Sequence, residues 1–262
     1  MTRIIRAELL RLVRRRTLIV AAIGALLFSA ISALTVLASA DENVVRSRQG
    51  GTTLAELSGS GGGTEAFAVG ASFAGFLVFV TFIALIASEF SGGTFRSLLL
   101  REPHRLRVIV GKLVGILIVA AAVVALFEVS TFVMSLAIAP SQDIPTGEWF
   151  SPASLGDAVG DYLTVMAGVT GWAIFGTTLA VIFRSAPIAL GVGFAWAGPF
   201  ENIVVDSWDT GFKVFPGQVL GSMIRGGTVE LGMGRAVATA AIYTTIAAVA
   251  ALLLVSRRDV TA

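Results

Sequence analysis

The sequence predicts an all-α transmembrane protein, a six-helix bundle, and three observations carry that prediction. Of the 262 residues, 55% are hydrophobic and only 14% are charged, against roughly 25% charged in a soluble domain. Mean hydropathy is +0.86. The apolar residues fall in six continuous runs, about 17–39, 66–88, 113–138, 162–183, 186–200 and 236–255. A helix needs roughly 20 such residues to cross about 30 Å of hydrocarbon, and only the fifth run is short. Barrel strands alternate apolar and polar positions, so continuous runs exclude a membrane barrel. The segments between the runs are too small to bury a core of their own, and residues 1–262 read as a single transmembrane domain.

Taken in order, the chain begins with Ile4, Ile5, Leu9, Leu12 and Val13 at helical spacing, with Arg3, Arg6, Arg14 and Arg15 largely elsewhere on the wheel. Residues 1–16 therefore read as an interfacial helix in the headgroup plane, or simply as a basic flank that sets orientation. A signal peptide is not expected. The first apolar run exceeds the roughly 7–15 residues of a signal core, and no small-residue cleavage site sits at the right distance from a core of that length, so it reads as the first span.

Orientation follows from the basic residues. Six spans put both termini on one side, with Arg3, Arg6, Arg11, Arg14, Arg15, Arg16, Arg257 and Arg258. The same side holds Arg96, Arg101, Arg105, Arg107 and Lys112 between spans two and three, and Arg184 between spans four and five. Fourteen of the 19 basic residues thus lie together, and that side is expected to be cytoplasmic. The protein is expected in the cell's inner, cytoplasmic membrane, its bases touching lipid headgroups and not nucleic acid.

Two segments lie on the other side. Residues 40–65 hold Gly50, Gly51 and the Ser-Gly-Ser-Gly-Gly-Gly run at 58–63, which predicts a mobile loop without chemistry. Residues 200–234 mix Ile203, Trp208, Phe212, Phe215, Leu220 and Ile224 with Glu201, Asp206, Asp209 and Pro216. That mixture predicts a re-entrant pair of short helices dipping into the outer leaflet, broken near Gly211 and Pro216. It also accounts for the short fifth run.

The chemistry available is narrow. Without cysteine there is no disulfide, thiolate metal site or cysteine nucleophile, and a single histidine, His104, excludes the paired histidines of a metalloprotease. The loop between spans two and three is the most distinctive segment. Gly92 and Gly93 permit a sharp bend, Thr94 is placed to cap a helix whose Phe95, Leu98 and Leu99 share a face, and Pro103 ends it near Arg101 or Glu102. A helix of about two turns is unstable alone, so it must pack on the bundle or on a partner. Glu89, at the membrane boundary, is expected to pair with Arg96 or another nearby base.

The order Glu-Phe-x-x-Gly-Thr-x-Arg-x-Leu-Leu, then Pro-x-Arg, then Gly-Lys-Leu is carried by Glu89, Phe90, Gly93, Thr94, Arg96, Leu98, Leu99, Pro103, Arg105, Gly111, Lys112 and Leu113. It resembles the segment between the second and third helices of type-2 ATP-binding-cassette permeases. The motif is confined to residues 89–113, while the rest of the chain matches in outline. The resemblance implies that residues 89–107 form a coupling helix seated in a groove of an ATPase subunit, with Glu89, Gly93, Thr94, Phe95, Arg96, Leu98, Leu99, Arg101 and Arg105 as the partner-binding set. His104 with Arg101 and Glu102 around the proline departs from the pattern and makes the loop highly charged.

No Gly-x-x-x-x-Gly-Lys-Ser/Thr cradle occurs, so the reading makes the chain no enzyme and gives it no bound cofactor. ATP and Mg would sit on the separate cytoplasmic ATPase. Six helices hardly enclose a path, so a second copy or a homologous permease is implied, most simply as a dimeric exporter in contact with membrane lipid.

Glu128, in the third run near Ser130, Thr131 and Ser135, is the most costly residue to insert, at roughly 2.5–3.5 kcal/mol. It reads as a substrate or proton site, or as an internal hydrogen bond between helices. Phe73, Phe76, Phe79 and Phe82 form a stripe that lines a translocation path or packs against lipid and neighbours. Gly70, Gly75, Gly168, Gly171 and Gly176 predict close helix approach. The competing reading is an ATP-independent secondary transporter or channel using Glu128; an intramembrane hydrolase is disfavoured because only Glu128 reads as deep.

Overall fold

The computed structural model describes residues 1–40, 52–208 and 210–257, and all regular structure among them is helical. In chain order the helices are α1 (Thr2–Leu12), α2 (Arg15–Ala38), α3 (Leu54–Ser58), α4 (Gly62–Ser91), α5 (Thr94–Leu99), α6 (Arg105–Ile138), α7 (Pro152–Phe183), α8 (Ala186–Ala195), α9 (Glu201–Ser207), α10 (Gly211–Val214), α11 (Pro216–Ile224) and α12 (Met233–Arg257). Six are long and apolar enough to span a membrane, counting α8, a π-turn at Trp196–Phe200 and α9 as one rod. The chain is thus a multi-pass membrane protein.

The fifth span is not short. It runs from Ala186 to Ser207, because the π-turn absorbs Pro199, whose missing N–H and bulky ring would otherwise break an α-helix. The fourth span starts at Pro152, not near 162. Ser151 caps it by accepting a hydrogen bond from the Ser154 amide (3.3 Å), and proline suits the first helical position.

Helices α4 and α7 form the most extensive pairing, and α7 is the most buried span. Small residues make this approach possible. A methyl group on Gly176 would stand 3.0 Å from the Phe79 carbonyl, and Gly70, Gly75, Gly168 and Gly171 also meet neighbouring side chains. Hydroxyls join α2 to α6 and α4: Ser29 donates to the Phe127 carbonyl (3.2 Å), Thr131 to Ser29 (3.1 Å) and Ser32 to the Ala66 carbonyl (2.5 Å). Such bonds hold helices where lipid tails compete for apolar contact.

Residues 41–51, part of the segment expected to be mobile, lie outside the described residues. The glycine run beyond them is not slack. Thr53 and Glu56 form a reciprocal capping box at α3, and Trp149 donates its indole N–H to the Leu57 carbonyl at 2.7 Å. Gly62 opens α4 so tightly against α3 that an added Cβ would lie 1.9 Å from the Leu57 carbonyl oxygen. Gly62→Ala is accordingly expected to cost about 1–3 kcal/mol, read as a lowered unfolding midpoint in detergent. A variant as stable as the parent would contradict the packing described.

The segment after the fifth span breaks as expected, at the start of α10 by Gly211 and again at Phe215–Pro216. Its last helix, α11, is buried among α4, α7 and α12 through Val219, Leu220 and Ile224.

Candidate functional site

At the bundle end that bears the N-terminus, the last turn of α4 is the hub. Gly93 follows it with φ +69°, a left-handed conformation that glycine adopts without strain, and turns the chain into α5. Gly93 occupies the cap position and Thr94 is the first helical residue, with no side-chain cap; the helix closes at Leu99, short of Arg101. Phe95 is buried, its ring 4.5 Å from that of Phe90, while Leu98 and Leu99 are half-buried against the bundle. The Arg184 guanidinium lies 6.0 Å from the Phe90 ring, and the Ala186 amide donates to Ser91 Oγ at 2.9 Å. The α7–α8 turn thereby packs on the same hub.

Glu89 pairs with Lys112 and Arg11, not with Arg96. Lys112 Nζ donates to Glu89 Oε1 (2.7 Å) and to Glu8 Oε2 (2.8 Å), Arg11 bridges to Glu8 (2.8 Å), and Arg11 also bonds Glu89. Glu8, Glu89 and Lys112 are all 5% exposed or less. Two acids and two bases from α1, α4 and α6 thus form a neutral buried cluster, which is how charges survive away from water. The cluster fixes α1 on α6, where Ile4 and Glu8 lie over Gly111 and Gly115. The expected apolar face of the first helix misses this role of Glu8, and Val13 falls outside α1, exposed.

Exposed on α5 are Thr94, Arg96 and Ser97, and on the turn after it Leu100 and Arg101, with Leu100 86% exposed. Glu89 and Phe95, expected among the partner-binding residues, are buried and anchor the loop from inside. Arg105 is half-buried at the start of α6. Glu102 accepts from His104 (2.9 Å) and Arg107 (3.2 Å). The His104 hydrogen bond, then the Arg107 charge, hold its carboxyl below the usual range.

Further along the bundle, the phenylalanine stripe divides. Steps of three residues drift around a helix, so Phe73 and Phe76 line one cavity of about 260 Å³, Phe79 lines a second of about 420 Å³, and Phe82 sits in the core. The two cavities share a wall of Trp172, Ala197 and Glu201. Glu201 is 1% exposed and accepts from Trp196 Nε1 (2.7 Å) and from the Gly217 amide (3.3 Å). It is a deep acid that the sequence reading placed outside the spans.

Glu128 does not gather its neighbours. Thr131 bonds towards α2, and Glu128 Oε1 is buried without a hydrogen-bond partner among the described residues. The charge that bears on it is Asp161, which itself accepts from Thr64 at 2.6 Å.

No curated protein matches the chain. A family model described as a protein of unknown function, DUF2705, matches residues 17–261. With nearly the whole length matched, the chain belongs to the DUF2705 family.

Proposed function

We propose that this chain is the membrane-spanning permease of an ATP-driven exporter, working as a type-2 ATP-binding-cassette permease does. In this reading α5 is the coupling helix, the hub end is cytoplasmic, and ATP and Mg are bound by a separate ATPase subunit. The observation that carries it is the build of α5. Phe95, Leu98 and Leu99 fasten the helix to the bundle, while Leu100, flanked by Arg96 and Arg101, is held out into the open. An exposed leucine at the tip of a firmly seated helix suits an apolar pocket on a partner, and the arginines suit an acidic rim. Phe95 of α5 packs on Phe90 in the last turn of α4, and the ion cluster there ties α4 to α1 and α6, so a push on α5 reaches three elements together. A second copy of the chain, or a homologous permease, would complete the path.

Arg96→Glu tests this reading, because Arg96 is exposed and its reversal leaves the bundle intact. The variant is expected to reach the membrane normally and to lose stimulation of the partner's ATP hydrolysis. Unchanged stimulation would remove the coupling role from α5. A carrier that needs no ATP is the second reading, favoured by the unpartnered buried oxygen of Glu128. It predicts that Glu128→Gln abolishes transport while Arg96→Glu does not.

A further inference from the structure

The wall between the two cavities combines features that point to a ligand. Glu201 Oε1 is fully occupied, held by Trp196 and the Gly217 amide at the start of α11. Its Oε2 is buried without a hydrogen-bond partner among the described residues, and so is Trp172 Nε1. A carboxylate oxygen hidden from water and left unpaired is costly, so a protein that keeps one gains from it elsewhere. The start of α11 packs closely on the carboxyl, and only glycine permits it: a Cβ on Gly217 would come within 2.3 Å of Oε2.

The two chambers differ in character. On one side of Glu201 the lining is aromatic and aliphatic, with Phe79, Phe175, Leu179, Trp196 and Tyr243 around about 420 Å³. On the other, about 260 Å³ is bordered by Asn202, Asp206, Gln218 and Arg225. Acids outnumber bases there. Arg225 is occupied as well, its Nε donating to Ser72 (2.7 Å) and its guanidinium 5.1 Å from the Phe73 ring.

We propose that this paired cavity binds an amphiphilic amine, its ammonium donating to Glu201 Oε2 at the shared wall and its apolar body filling the larger chamber. A cation at that point satisfies the orphan oxygen with a charge-assisted hydrogen bond. A carboxylate-bearing analogue would meet Glu201 and Asp206 with like charge. An alcohol would supply one hydrogen bond without the charge. The proposal concerns binding alone and stands whether or not an ATPase drives the chain.

The test uses the full chain in lipid nanodiscs and three probes of one shape, phenylbutylamine, phenylbutanol and phenylbutyrate, titrated by calorimetry. The expected result is saturable binding of the amine at one site per chain, with the alcohol and the carboxylate at least about tenfold weaker. Glu201→Gln should weaken the amine by about tenfold or more and leave the alcohol nearly unchanged, since the amide oxygen still accepts from Trp196 and Gly217. Equal affinity across the three probes in the wild-type chain, or no saturable binding, would overturn the proposal without recourse to any variant. Undiminished amine binding by a folded Glu201→Gln chain would overturn it too.

Discussion

Replacing Lys112 by Met should cost about 3–5 kcal/mol, because it strips the shared ammonium from two buried carboxylates. Glu8 and Glu89 would be left facing each other at 3% and 4% exposure with only Arg11 between them, and Arg11 is itself partly open to solvent. Breaking one member of a buried ion cluster is far worse than replacing the whole of it, since the penalty lies in the stranded charge. Lys112→Met combined with Glu8→Gln and Glu89→Gln should therefore recover much of the loss. Both are checked as unfolding midpoints in detergent, where a penalty of this size lowers the midpoint by roughly 6–20 °C at about 2–4 °C per kcal/mol. A single Lys112→Met variant as stable as wild type would show that the cluster does not hold α1 in place.

The second large effect is expected at Leu100. Truncation of a central apolar anchor in a protein interface costs about 2 kcal/mol or more, and a charge in its place costs further desolvation, so Leu100→Asp should weaken partner binding at least about thirtyfold. The bundle itself should not notice, since Leu100 is 86% exposed and touches little. Leu98→Asp, which the sequence alone would recommend, is the poorer probe. Leu98 is half-buried against the core, and a carboxylate there would disturb folding and docking together.

Much of the architecture was legible because spans are long and repetitive in character: all six sit where the apolar runs predict, and the Gly93 turn into a short helix follows from local rules. The ends were less legible. The fifth run stops at residue 200 on apolarity alone, and the π-turn that carries the helix past Pro199 leaves no mark in composition, so Glu201 was placed outside the spans. The glycine run before α4 read as slack, since a sequence does not tell glycine chosen for freedom from glycine chosen for closeness. Gly62 is the second kind. Pairings over long separations were hidden altogether. Glu8 to Lys112 spans 104 positions, and Glu89, expected to pair with Arg96 or another nearby base, takes its partners from α1 and α6. A glutamate among arginines in a helix with an apolar face was the one clue that α1 does more than rest on lipid.

Affinity purification of the tagged chain from its native membranes in mild detergent, with mass spectrometry of the associated proteins and an ATPase assay, tests the coupling role of α5 most directly. A stoichiometric nucleotide-binding subunit is expected with the wild-type chain, and its loss with Leu100→Asp at unchanged chain yield. An oligomer free of any ATPase, or an ATPase retained equally by both chains, would contradict that role.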